Sequence, residues 1–156
     1  MNNQKKLEEI IAFLNENTRF KETKNFIQHG NTSVYYHVIS VAKKSIEIVE
    51  KYNLNVDMDS LIRGALLHDY FLYDWHDGKK ERWIHGFTHP MKAYLNAKSE
   101  LKINRIEKDI IIKHMFPLTI LPPKYLESWI VTYSDKYVSI VETVRRKSMK
   151  VGFENL

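Results

Sequence analysis

Apolar residues return every three or four positions in one segment after another, and that period restricts the chain to packed helices. Residues 4–14 carry Leu7, Ile10, Ile11 and Leu14 on one face. Residues 32–52 carry Val34, Val38, Val41, Ser45, Ile48 and Tyr52, with Thr32 or Ser33 as the N-cap. Helices are predicted again over 58–70, along Leu61, Ala65 and His68, and over 103–114, along Ile103, Ile106, Ile110 and His114. Phe71 to Thr88 has no clean period and holds Gly78 and Gly86, so it reads as a long aromatic-rich loop. Pro90 suits the first turn of a helix running to about Lys98. Pro117, Pro122 and Pro123 then break the chain, and a last helix is predicted over 124–147. The two-residue alternation of a strand is nowhere convincing. The expectation is one all-α domain, a bundle of about six to seven helices.

Composition narrows the chemistry. There is no cysteine among the 156 residues, which excludes disulfides, thiolate metal sites and a cysteine nucleophile. That fits a reducing cytoplasm, as does an N-terminus that runs from Lys5-Lys6 straight into the charged pattern Leu7-Glu8-Glu9-Ile10-Ile11. No window resembles a membrane span. The net charge of +5 favours a small anionic, phosphorylated partner. A nucleic-acid surface is disfavoured, because only Arg145-Arg146-Lys147 form a basic cluster.

Several polar residues prolong apolar faces. His37 lies three residues after Val34 and four before Val41, and His68 continues the Leu61–Ala65 line with Asp69 beside it. His114 extends the Ile103–Ile106–Ile110 face, and Asp135 sits between Val131 and Val138. Such groups point inward, and burying them is costly unless they pair or bind a metal. Imidazole nitrogen and carboxylate oxygen together suit a divalent cation such as Mn, Fe, Co, Ni or Zn.

The order His37, then His68-Asp69 at the end of "GALLHD" (Gly64 to Asp69), then Asp135 resembles the histidine–aspartate (HD) superfamily of metal-dependent phosphohydrolases. The resemblance spans about residues 29–140, taken as the metal-site core behind an N-terminal helical lead-in over 1–28. It implies that His37, His68, Asp69 and Asp135 hold one metal. "HPMKAYL" from His89 and "IIKH" ending at His114 resemble the extra histidines of two-metal members, with Asp69 bridging. Without that resemblance, His89 reads as an N-cap before Pro90, and His114 as a partner for the helix-end dipole. The chain departs from the cyclic-dinucleotide branch: Met115-Phe116-Pro117 follows His114, and Leu72 stands where that branch has lysine.

The stretch 70–89 joins two proposed ligand positions and is expected to lie over the site. Tyr70, Tyr73, Trp75 and Trp83 read either as a stacking wall or as core aromatics, and Lys79, Lys80, Arg82 and His85 either as groups neutralising phosphate or as solvated surface. His29, eight residues before His37, and Lys136, beside Asp135, are further substrate candidates. The resemblance implies hydrolysis by activated water, with Asp69 orienting it and Arg82 or His29 facing the phosphate. Two other readings use the same residues: a diiron oxygenase similar to myo-inositol oxygenase, or a metal-stabilised binding or regulatory module without turnover.

Overall fold

A computed structural model describes residues 2–74 and 79–154, with side chains at 2–74 and 84–146. Among the described residues seven helices, one of them a short 3₁₀ helix, surround a single core, so the fold is the expected all-α bundle. In chain order these are α1 (Asn3–Asn17), the 3₁₀ helix (Arg19–Asn25), α2 (Val34–Tyr52), α3 (Met58–Leu67), α4 (Lys79–Glu100), α5 (Arg105–Lys113) and α6 (Leu126–Glu154). Two short antiparallel strands, β1 (Ile27–His29) and β2 (Thr32–Ser33), lie ahead of α2. Gly30, at φ +62°, makes the turn between them, a conformation glycine adopts without steric cost. Among the described residues no helix is long and apolar enough to cross a membrane.

Local chemistry fixes the helix ends. Ser33 caps α2 by accepting from the Tyr36 amide, and Asn53 ends it in the left-handed region at φ 47°. Asp57 caps α3, and Asn104 with Glu107 forms a capping box on α5. The turn before α6 is gathered by Asp109, which accepts from the Lys124 amide at 2.8 Å and the Ser128 hydroxyl at 2.7 Å.

α2 packs on α3 and α6, and α5 lies against α3, α4 and α6. Leu7, Leu14, Phe20, Leu61, Leu66, Leu67, Ile110 and Ile111 are fully buried, and each such side chain contributes about 1.5–3 kcal/mol. Gly64 lets α3 and α5 approach closely: a Cβ there would stand 2.3 Å from Ile110 Cδ1. That approach brings the ends of both helices, where His68 and His114 sit, into one place.

The stretch read as a loop over 71–88 is half helix. α4 begins at Lys79, and Pro90 lies inside it rather than in its first turn. The buried line of α4 is His85, His89, Ala93 and Ala97, at four-residue spacing. Two imidazoles and two methyl groups give little hydrophobic contrast, so the helical period is hidden. Trp75 and His76 lie outside the described residues, as do the side chains of Lys79, Lys80, Arg82 and Trp83.

Candidate metal centre

Three helix ends and two helix interiors converge on a buried cluster of imidazoles and carboxylates. His37 comes from the first turn of α2, His68 caps the C-terminus of α3, and Asp69 follows in the turn. His89 comes from α4, His114 caps α5, and Asp135 comes from the interior of α6. His37 and His68 are fully buried, and Asp69, His89, His114 and Asp135 are each at most 7% exposed.

Asp69 is the centre. Its Oδ2 lies 3.3 Å from His68 Nε2 and 3.7 Å from His37 Nε2. Its Oδ1 lies 3.1 Å from His89 Nε2 and 3.3 Å from His114 Nε2. Asp135 Oδ1 completes the first side, 3.0 Å from His37 Nε2 and 3.5 Å from His68 Nε2. Two groups result: His37, His68, Asp69 and Asp135 on one side, Asp69, His89 and His114 on the other.

The second nitrogen of each ring fixes which atom faces inward. Nδ1 of His68 donates to the Ala65 carbonyl at 2.7 Å, and Nδ1 of His89 to the His85 carbonyl at 2.7 Å. His114 Nδ1 donates to the Ile111 carbonyl at 2.8 Å, and His37 Nδ1 to the Glu142 carboxylate at 3.0 Å. A carbonyl can only accept, so in the neutral rings Nε2 carries the lone pair. All four lone pairs then point at two carboxylates. His89 Nε2 and His114 Nε2 face each other at 2.9 Å, an arrangement that needs a cation or a proton between or beside them. His68 Nε2 and Asp69 Oδ1 are buried without a hydrogen-bond partner. Four outward-anchored imidazoles around shared carboxylates are the donor set of a borderline divalent cation, with Nδ1 held by an outer acceptor as metal sites require.

Protons on the imidazoles offset the buried carboxylates. Burial opposes charge on His37, but hydrogen bonds to Asp135 and Glu142 outweigh it and raise its pKa to about 9. His68 is likewise raised: burial opposes, and Asp69 and Asp135 prevail. Asp69 and Asp135 are held well below the carboxylate range, because their histidine partners overcome the cost of burial. His114 is lowered, chiefly by burial.

The cluster forms the floor of a cavity of about 770 Å³. His29 lines it, its Nε2 3.1 Å from the Ser139 hydroxyl, and burial lowers its pKa. Lys136 lines it too, donating to the His114 carbonyl at 3.1 Å, with its pKa lowered by burial. His85 stacks on His89 at 4.4 Å between centroids and meets the Tyr73 hydroxyl at 2.7 Å from Nδ1. Tyr70 does not belong to a stacking wall. It is fully buried, its ring lies against Phe20 and its hydroxyl donates to Glu100, because the core takes its whole apolar face. Arg82, the other catalytic candidate, has its side chain outside the described residues.

Two residues were missed from sequence. Glu142 follows Asp135 by seven positions, two helical turns, and so shares its face; that spacing was the available signal. Gln28 donates its amide to Asp69 Oδ2 from the end of the lead-in, and nothing local in the sequence marks it.

The HD domain family model matches residues 34–140, well over half of the chain, while no curated protein and no solved structure matches it. The matched span takes in His37, His68-Asp69, His89, His114 and Asp135. The family consists mostly of metal-dependent phosphohydrolases. The match and the buried histidine–aspartate cluster agree: this chain belongs to the HD domain family.

Proposed function

We propose that this protein is a phosphohydrolase that cleaves a nucleotide or another small phosphoester with one or two divalent ions. The observation that carries the reading is the pair of ligand groups sharing Asp69 on the floor of a cavity that also presents Lys136 and His29. His37, His68, Asp69 and Asp135 would hold one ion, and Asp69, His89 and His114 a second. When bound, such ions lower the pKa of a coordinated water toward ~7 and polarise the phosphoryl oxygen.

The chain's own residues supply the rest. Gln28 and the four imidazoles hold both oxygens of Asp69, so its carboxylate orients water at a fixed angle. Glu142 keeps His37 aligned through Nδ1. Lys136 offsets phosphate charge, the neutral His29 offers it a hydrogen bond, and Arg82 and His85 are further candidates for neutralising it. In the reaction water forms a new P–O bond, the ester P–O bond breaks, and the alcohol leaves with a proton.

The test is phosphate release from a panel of phosphoesters, assayed without oxygen and with Mn, Co, Ni, Zn or Fe in turn. Turnover with redox-inert Zn supports hydrolysis. Strict need for iron and oxygen, with oxygen consumed per product, would overturn it in favour of an oxygenase. Metal binding with no turnover on any substrate would leave a binding or regulatory module. Arg82→Ala should raise KM for the active phosphoester with metal content unchanged; unaltered kinetics would remove Arg82 from the site.

A further inference from the structure

We propose that the substrate is amphiphilic: a phosphoester whose alcohol carries an extended apolar group, held in a groove that continues from the catalytic cavity. The inference rests on the phosphohydrolase reading for its headgroup and on separate observations for its tail.

The cavity is two-sided. Its floor is the histidine–aspartate cluster, with Gln28, His29 and Lys136 alongside, whereas Met115, Pro117, Leu118 and Ile140 are apolar lining. Those four side chains match an apolar part of a substrate rather than its charge. Leu118 also lines a second groove of about 450 Å³, formed by Phe87, Pro90 and Met91 of α4, Ile112 of α5 and the turn Leu118–Leu121. Gly86 lets α4 approach the turn at this shared residue: a Cβ there would stand 3.2 Å from Leu118 Cδ2.

That groove is built rather than incidental. The turn bearing it is pinned by backbone hydrogen bonds from Leu118 to Met115 at 2.8 Å and from Thr119 to Met115 at 3.3 Å. Phe116 packs edge-on against Trp129 at 5.5 Å, anchoring the turn to α6. Yet the turn shows its apolar side chains to water: Ile120 is 87% exposed and Leu121 64%. Among the described residues the one charged side chain lining the groove is Lys113, and it is already neutralised by Asp109 at 2.7 Å. A groove with no unpaired charge among the described residues, sharing Leu118 with the proposed phosphate-binding cavity, fits a hydrocarbon tail.

The experiment compares n-alkyl phosphates from ethyl to dodecyl, kept below micellar concentrations, with binding of the matching non-hydrolysable alkylphosphonates measured by calorimetry. Both kcat/KM and phosphonate affinity should rise about three- to fourfold per methylene until the groove is filled. Ile120→Glu and Met91→Glu, both at exposed positions, should each collapse the ratio of long-chain to short-chain values. Hydrolysis with no dependence on chain length would overturn the tail groove and leave the phosphohydrolase standing. Length-dependent phosphonate binding with no hydrolysis of any ester would support the groove and refute the phosphohydrolase. Length dependence that both glutamate variants leave intact would overturn the assignment to this groove.

Discussion

The two ligand groups share Asp69 yet differ in what surrounds it. The first joins two carboxylates to His37 and His68, and Glu142 stands behind His37. Among the described residues the second has Asp69 as its only carboxylate, and His89 and His114 lean on backbone carbonyls. In the metal-free protein the extra negative charge makes His37 and His68 bind protons firmly, whereas burial leaves His114 lowered. Carboxylate count therefore sets both cation affinity and the competition from protons. The first group should bind its ion more tightly but with steeper pH dependence, and the second more weakly with less.

The largest effect should come from the shared residue. Asp69→Ala is expected to empty both groups, and His68→Ala to abolish tight binding in the first, since removing one buried partner leaves the others desolvated and unpaired. Full occupancy by elemental analysis in either variant would break the assignment. Next, His89→Ala combined with His114→Ala should lower the content from two ions per chain to one, with the helical circular dichroism kept. A wild type that never exceeds one ion at saturation would dissolve the comparison.

Titration sharpens it further. His37 keeps its proton up to about pH 9, so an ion in the first group must displace that proton below this pH. His68 is raised as well and must also lose its proton, so apparent affinity there should rise about a hundredfold per pH unit while both rings stay protonated and less steeply once His37 has titrated. A flat profile by competition with a chelator would contradict the proton-loaded state. The signs for the metal-free fold follow. The raised His37 contributes stability that is full below its ordinary value of 6.5 and lost as pH rises through about 9. The depressed Asp69 and Asp135 contribute stability present above 3.8 and lost on acidification. Thermal melts of metal-free protein should thus peak between these limits. The smallest effect is expected for Glu142→Gln, which keeps an acceptor for His37 Nδ1 but removes its charge. Affinity should fall about 10- to 100-fold in the first group alone. An equal loss in the second would show that Glu142 supports the fold rather than one ligand.

How legible each residue was follows from its surroundings. His37, His68, His114 and Asp135 extend apolar lines, so a polar group in a buried register gave them away. His89 was found through resemblance alone, because its line on α4 consists of His85, Ala93 and Ala97 and Pro90 imitates a helix start. Tyr70 looked like a binding-site aromatic because a sequence shows type and not direction; its ring belongs to the core beside Phe20.

By itself the sequence determined most of the helices, the inward-facing His37, His68, His114 and Asp135, and the family, since these depend on local period and on residues a few turns apart. Only the tertiary structure decided that Asp69 presents one oxygen to each group, that Glu142 and Gln28 hold the site from outside, and that Leu118 lines two cavities. Those relations link residues separated by as many as 105 positions, and their geometry comes from helix packing at contacts such as Gly64 on Ile110, which no local pattern encodes.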